Sequence, residues 1–469
     1  MIDRLRTLDL YGPMLAHVLF PAFEAARGRP TVPLLEYLEE SARQPVAALR
    51  ELQGDLLQRL CSHAFHHTAY YRALFDDHGL RPEQITTVGD LARLPLLERE
   101  TVRATMVSRR SVGPPAVAIT KATSGTSGEP VVVAYDAESR HWRDATRWRG
   151  YGWAGYRIGS RAFHYWGFAP SSTSWFERRK LALDRRLKRD HYVDCTPRNE
   201  PALAAAVEEL VRVRPDIVIA YASGAAALAQ YINHHGLRTW SDMPVLVGAE
   251  RLWPNERTAI ERAFGPAFET YGCRELMLIG SECEAHDGLH TSMETMVVEL
   301  VIRHANGTSR AARPGETGEV VLTDLHNRAC PMIRYVNGDL AVAHDDTPCV
   351  CGRGLARIGP IEGRSTETLR DGNGAPVGGL VFNILFGVLE HVVSQFQVIQ
   401  RADNRIVMRA VPVGGTELSA ATREAIFAFA DKYLAGAPFE IQCVDDIPRT
   451  AAGKRTVVIV EPPVLAAVQ

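Results

Sequence analysis

The chain has 469 residues, of which 46% are hydrophobic and 23% charged, with a formal net charge of -2, an ordinary composition for a globular enzyme. That length exceeds one ordinary core and implies at least two domains, one large and one small. The near-neutral balance excludes a global attraction to nucleic acid or to an anionic membrane, so any phosphate binding must come from a local site.

Asp3, Arg4, Arg6 and Asp9 interrupt the apolar stretches of the first twenty residues, so no signal peptide is expected. No segment reaches the roughly 18 uncharged apolar residues of a membrane span, and the expected location is the cytoplasm, with no membrane partner. Eight cysteines in so long a chain do not make a disulfide scaffold; in a reducing compartment they are free thiols, metal ligands or catalytic groups.

From Leu34 to about Leu80 apolar residues recur at helical spacing, and Pro114 to Ala134 turns to β-branched runs around the loop KATSGTSGEP, Lys121 to Pro130, a strand-loop-strand unit. FHYWGFAPSSTSWF, Phe163 to Phe176, is dense in aromatics. FERRKLALDRRLKRD then crowds Arg178, Arg179, Lys180, Arg185, Arg186, Lys188 and Arg189 together, the pattern of a solvated amphipathic helix. Between Pro201 and Leu237, ALAAAVEELVRV, DIVIAYA and GAAALAQYINHH alternate helix, strand and helix, and PVLVGAE reads as another buried strand. That alternation predicts an α/β fold with parallel-type sheets. From Thr295 to Arg364, short strands such as MVVELVI and GEVVLTDL form a β subdomain. RDGNGAP, Arg370 to Pro376, is the most turn-rich boundary segment. The remainder reads as a compact α+β unit, with helices near Phe382 to Val393 and Ala420 to Leu434 and strands near Ile406 to Ala410 and Thr456 to Ile459.

The loop Thr123 to Gly128 offers four hydroxyls and two glycines in six residues. Glycine lets backbone N–H groups approach a phosphate closely, and the hydroxyls add donors. It fails the Walker pattern, because no Gly-Lys-Ser/Thr follows. It resembles instead the TSGTTG-type phosphate loop of the adenylate-forming superfamily of acyl-CoA synthetases and related ligases. Five more strings follow in that family's order. GAERLWPNERTAIERAFG from Gly248 is similar to the adenine-side segment, and YGCRE, Tyr271 to Glu275, to the YGxTE motif. RYVNGDLA, Arg334 to Ala341, is similar to RYxTGD, GRSTE from Gly363 to the interdomain hinge, and PRTAAGKR, Pro448 to Arg455, to the catalytic-lysine loop. ECEAHDGLH and CVCGRGLARIGPIEGR resemble the branch containing phenylacetate-CoA ligase and capsule-biosynthesis-type proteins. Val131, the VNGD context and Thr366 depart from the superfamily's usual lysine, TGD and aspartate.

The resemblance implies that a carboxylate attacks the α-phosphorus of ATP, pyrophosphate leaves, and a thiol then attacks the acyl-adenylate. Lys454 would offset the repulsion of two anions as a point cation on a flexible stem, and Glu275 would hold Mg²⁺. Ser124, Gly125, Thr126, Ser127 and Gly128 would cradle phosphate; Gly248, Ala249, Glu250, Tyr271 and Gly272 would face the nucleotide. Asp339 would hold ribose, and Arg364, with Arg334, would contact phosphate or ribose. Tyr165, Trp166, Phe168 and Tyr221 would line an acyl pocket suited to an aryl acid, and the basic run could attract the phosphates of CoA. Cys283, His290, Cys349 and Cys351 make a candidate structural Zn²⁺ set, with His286 a substitute for His290.

The implied organisation is an N-terminal AMP- and acyl-binding domain over residues 1–363 and a small mobile C-terminal domain over 364–469. The implied partners are a small carboxylic acid, ATP, and CoA or another acyl acceptor. Transfer to an amine, a hydroxyl or a carrier-protein thiol is the alternative enzyme reading, and a nucleotide-binding scaffold without turnover is the alternative of another class.

Overall fold

The computed structural model describes residues 9–122, 131–167, 175–304, 307–364, 368–374, 376–378, 389, 392–415, 417–448 and 457–461. The chain divides into two compact units, Met1–Asn337 with Val342–Pro360, and Gly338–Ala341 with Ile361–Gln469.

In the first unit, helices α1 (Thr31–Ser41), α2 (Val46–His67) and α3 (Ala69–Asp77) precede a two-stranded antiparallel unit, β1 (Ile119–Ala122) and β2 (Val132–Tyr135). These strands flank the predicted phosphate loop. Helix α4 (Ala137–Trp153) follows, its first turn closed by the Asp136 side chain, which accepts from the Ser139 N–H, a regular N-cap. Then come β3 (Ala162–Trp166), α5 (Trp175–Lys188), β4 (Asp190–Asp194), α6 (Glu200–Val213), β5 (Ile217–Tyr221), α7 (Ala222–His235), β6 (Val245–Gly248), α8 (Pro254–Ala263) and β7 (Ala267–Cys273). Strands β4, β3, β5, β6 and β7 pair in parallel in that order. All five residues of β5 are buried, as a central parallel strand covered on both faces requires. Its core contains Leu203, Leu210, Val218, Leu228, Ile232 and Phe264.

The sheet continues through antiparallel strands. The next are β8 (Met277–Glu282), β9 (Leu289–Thr291), β10 (Met296–Arg303), β11 (Ser309–Ala311), β12 (Thr317–Asp324), β13 (Tyr335–Ala343) and β14 (Arg357–Arg364), giving the spatial order β11-β10-β12-β13-β14-β9-β8-β7-β6-β5-β3-β4. Strand β7 is parallel to β6 and antiparallel to β8, so YGCRE lies where the α/β half meets the β half.

The second unit pairs β15 (Thr368–Arg370) with β16 (Pro376–Gly378). A separate four-stranded sheet runs β19-β18-β17-β20, formed by Phe439–Cys443, Ile406–Pro412, Val393–Gln400 and Val458–Val460 respectively, beside helix α9 (Ala420–Leu434). Leu369, Phe396, Met408, Ile426 and Leu434 are among its core residues.

Two expectations change. RDGNGAP joins β15 to β16 inside the second unit, and Val393 starts a strand rather than ending a helix; the rest of that predicted helix lies outside the described residues, apart from Leu389 and Val392. The basic run does form helix α5, on which every residue is at least partly exposed. Among the described residues, no helix is long and apolar enough to cross a membrane.

Candidate active site

In parallel sheets ligands bind beyond the carboxyl ends of the strands, at the point where strand order reverses. Here the chain leaves β3 for β4 on one side and returns to β5 on the other. The reversal therefore falls between Trp166 and Tyr221. Their rings meet edge to face with centroids 4.3 Å apart, and Tyr221 is in register with Gly248 of β6. Tyr165 points from β3 into the core, 1% exposed, where burial pushes its phenol up to about 12. Phe168 lies outside the described residues.

Ala249 has φ +66, a left-handed conformation that is costly for a residue with a Cβ and that clusters at functional sites. It turns the chain so that the Glu250 carboxylate meets the start of α7. There Ser223 donates its N–H to Glu250 Oε2 at 3.0 Å, and its hydroxyl to the same oxygen. Arg198 reaches this corner as well, donating to the Ser223 carbonyl at 2.9 Å and to its Oγ at 3.1 Å. Sequence reasoning missed Arg198, which sits alone in a loop after β4 with no spacing signal.

YGCRE forms the end of β7 and the turn into β8. A Cβ on Gly272 would lie 3.1 Å from the Met277 carbonyl carbon and closer still to its oxygen, so this hairpin requires glycine. Glu275 is 5% exposed. Its carbonyl accepts from Arg143 Nη1 at 2.7 Å, and Arg143 in turn donates to Asp324 Oδ2 at 2.5 Å and lies over the Tyr135 ring at 4.2 Å. The Glu275 carboxylate accepts from the Tyr335 hydroxyl at 3.1 Å, with Arg99 4.0 Å from the same oxygen, Oε1. Burial and the Glu275 charge push the Tyr335 phenol up, so it acts as a donor. Tyr271 accepts from Asn337 Nδ2 at 2.7 Å.

Asp339 follows along β13, half-buried, and Arg364 ends β14 with a side chain outside the described residues. Arg334 is corrected: it is 3% exposed, pairs with Glu299 through two nitrogens and donates to the Leu94 carbonyl. A guanidinium so engaged fixes the backbone and has no fork left for a phosphate. Ser124, Gly125, Thr126, Ser127, Gly128 and Lys454 lie outside the described residues.

Cys283, His290, Cys349 and Cys351 converge, with all four ligand atoms within 4.8 Å of one another. A tetrahedron with Zn–S bonds of about 2.3 Å has S···S edges of about 3.8 Å. Cys283 Sγ and Cys349 Sγ are 3.8 Å apart, and Cys351 Sγ lies 3.3 Å from His290 Nε2. His290 Nδ1 is 3.0 Å from the Leu355 carbonyl, which places the ring proton on Nδ1 and leaves Nε2 as a ligand lone pair. Burial lowers His290 to about 4, keeping it neutral, and pushes the Cys283 thiol up to about 12. Burial also raises Cys351, but hydrogen bonds from Arg353 and the neighbouring thiols outweigh it and lower that thiol. His286 is directed elsewhere, to Glu282 at 3.2 Å. The soft donor set and tetrahedral spacing fit Zn²⁺.

No protein-family model matches the chain. It is 27% identical over 379 residues to a phenylacetate-coenzyme A ligase of Thermus thermophilus, covering 79% of this chain and 82% of that one. It is 29% identical over 347 residues to the phenylacetate-coenzyme A ligase of Pseudomonas putida, covering 72% and 74%. Among solved structures, 2-hydroxyisobutyryl-CoA ligase in the postadenylation state with R3-HIB-AMP superposes with a TM-score of 0.71 at 18% identity, covering 90% of this chain and 92% of that one. An open conformation of that ligase with 2-HIB-AMP and CoA gives 0.58 at 20% identity, covering 88% and 92%. The fold is thus that of the adenylate-forming CoA ligases. In sequence the chain is similar to phenylacetate-coenzyme A ligases.

Proposed function

We propose that the protein joins a carboxylic acid to CoA at the expense of ATP, through an acyl-adenylate, releasing AMP and pyrophosphate. The observation that carries this reading is the match to phenylacetate-CoA ligases over about three-quarters of the chain. Within it, Glu275 holds the Mg²⁺ of the nucleotide, which neutralises phosphate charge when bound. The hydroxyls of Ser124, Thr126 and Ser127 bind the phosphates, Tyr271 and the Gly248–Glu250 turn bind adenine, and Asp339 binds ribose. Lys454 stabilises the charge that develops as carboxylate and phosphate meet; rotation of the C-terminal domain delivers it and withdraws it.

The acid is aromatic in this reading. Trp166 and Tyr221 at the strand reversal provide an edge-to-face wall for a flat ring, and aromatic pairs of this geometry favour a further ring over an aliphatic chain. Zn²⁺ on Cys283, His290, Cys349 and Cys351 is structural, because all four positions are filled by protein. It ties the turn after β8 to the loop before β14. That no disulfide joins the described cysteines suits the reducing cytoplasm. Pyrophosphate release screened across aryl and aliphatic acids tests the reading: aryl acids should give the fastest release, and release that ignores the acid would defeat it.

A further inference from the structure

Strand β13 carries two side chains of RYVNGDLA, to which no role has been given above, and they touch both functional ends of YGCRE. Tyr335 and Asn337 are two residues apart, so they project from the same face of the strand. They are 0% and 3% exposed. Tyr335 donates to Glu275 Oε1 at 3.1 Å and Asn337 donates to Tyr271 Oη at 2.7 Å. The contacts from Arg99 and Tyr335 both fall on Oε1, so these two described residues leave Oε2 as the oxygen a metal would take. A carboxylate in a hairpin turn has rotamers to lose on binding, and a donor that fixes one oxygen removes that cost beforehand. Asn337 stands where the superfamily has threonine, whose shorter side chain carries no amide donor.

We propose that Tyr335 and Asn337 are positioning residues: one face of β13 orients Glu275 toward the Mg²⁺ of the nucleotide and Tyr271 toward its base. This rests on the assignment of Glu275 and Tyr271 to Mg²⁺ and ATP above. The two effects separate by metal dependence. Tyr335 acts through the metal ligand alone, whereas Asn337 acts on the nucleotide whether or not the metal is present.

The test is calorimetric titration of the full-length protein with ATP, without any acid, in excess Mg²⁺ and again in EDTA, beside thermal melts. Tyr335→Phe keeps the ring and removes the donor. It should weaken Mg-ATP binding about tenfold, the lower end of the loss on removing a metal ligand's outer partner, and leave metal-free ATP binding within about twofold. Asn337→Ala should weaken both by the same factor, about fivefold, and should cause no further loss in a Tyr271→Phe background, because the bond is already absent there. A Tyr335→Phe protein that loses both affinities equally, or only melts earlier, would show a packing role and overturn the inference. So would additive losses for Asn337→Ala and Tyr271→Phe. A wild-type protein that binds no ATP in either buffer overturns the nucleotide assignment itself, a failure distinct from an altered metal dependence.

Discussion

Replacing Cys351 with serine should open the proposed zinc site while disturbing packing little, because Cys351 is the most exposed of the four ligands and the others are buried. A bound ion would join His290 on β9 to Cys349 across a loop of roughly 60 residues. Treated as a cross-link, closing a loop of that length removes about 4 kcal/mol of unfolded-chain entropy. The first unit has roughly 350 residues, which at about 2.1 cal/mol/K per residue is an unfolding entropy near 0.75 kcal/mol/K. Loss of the cross-link should then lower the melting temperature by about 5 °C. Metal analysis of the purified protein should find near one zinc per chain, the Cys351→Ser protein should contain far less, and both the variant and the chelated wild type should melt earlier by similar amounts. Wild-type protein without zinc, or a variant that loses zinc and melts unchanged, would refute the tie between β9 and the loop before β14.

Lys454→Ala should abolish carboxylate-dependent pyrophosphate release while ATP binding measured by calorimetry persists; unchanged release would remove Lys454 from the chemistry. Arg149 and Glu294, each 1% exposed, form a buried pair with nitrogen–oxygen distances of 2.6 and 3.1 Å, and Glu294 also accepts from Ser41. Glu294→Gln leaves an uncompensated buried guanidinium, at a cost of about 3–5 kcal/mol; a melting temperature within a degree of wild type would contradict this. Burial pushes the Glu294 carboxyl up, but Arg149 and the hydrogen bonds outweigh it and hold the group below the ordinary carboxylate range. A depressed folded-state value contributes stability that is complete above the unfolded value, about 4.3, and is lost as pH falls through the lower folded one. Denaturant titrations between pH 7 and pH 3 should show that acid loss in wild type and a smaller one in Glu294→Gln.

The α/β half was legible where its strands are unbroken apolar runs. DIVIAYA and PVLVGAE read as buried strands, and the structure has them in β5 and β6; the predicted helix Ala420 to Leu434 is α9. Helix α4 was not legible. Its buried face carries Arg143 and Arg149, so apolar periodicity fails, and only their partners Asp324 and Glu294 explain how the charges are buried. Strand β17 was obscured by VSQFQVIQ, where Gln397 and Gln400 are buried and polar residues break the strand signal. At the site, motif strings named Tyr271 and Glu275 because the family shares them. Tyr335 and Asn337 needed the structure, since their partners lie 60 and 66 positions away in sequence. The same strings made Arg334 look nucleotide-facing, when its half-buried partner Glu299 on β10 is what holds it.

Conversion of an acid, ATP and CoA to acyl-CoA, AMP and pyrophosphate is tested most directly by one stoichiometric assay. Purified protein incubated with phenylacetate and related aryl acids, ATP and Mg²⁺, with and without CoA, is analysed for every nucleotide and thioester product. AMP and acyl-CoA should appear in a one-to-one ratio, formed only when acid and CoA are both present, with Lys454→Ala inert. Formation of ADP and phosphate, or AMP release across the acid panel that CoA does not accelerate, would contradict it.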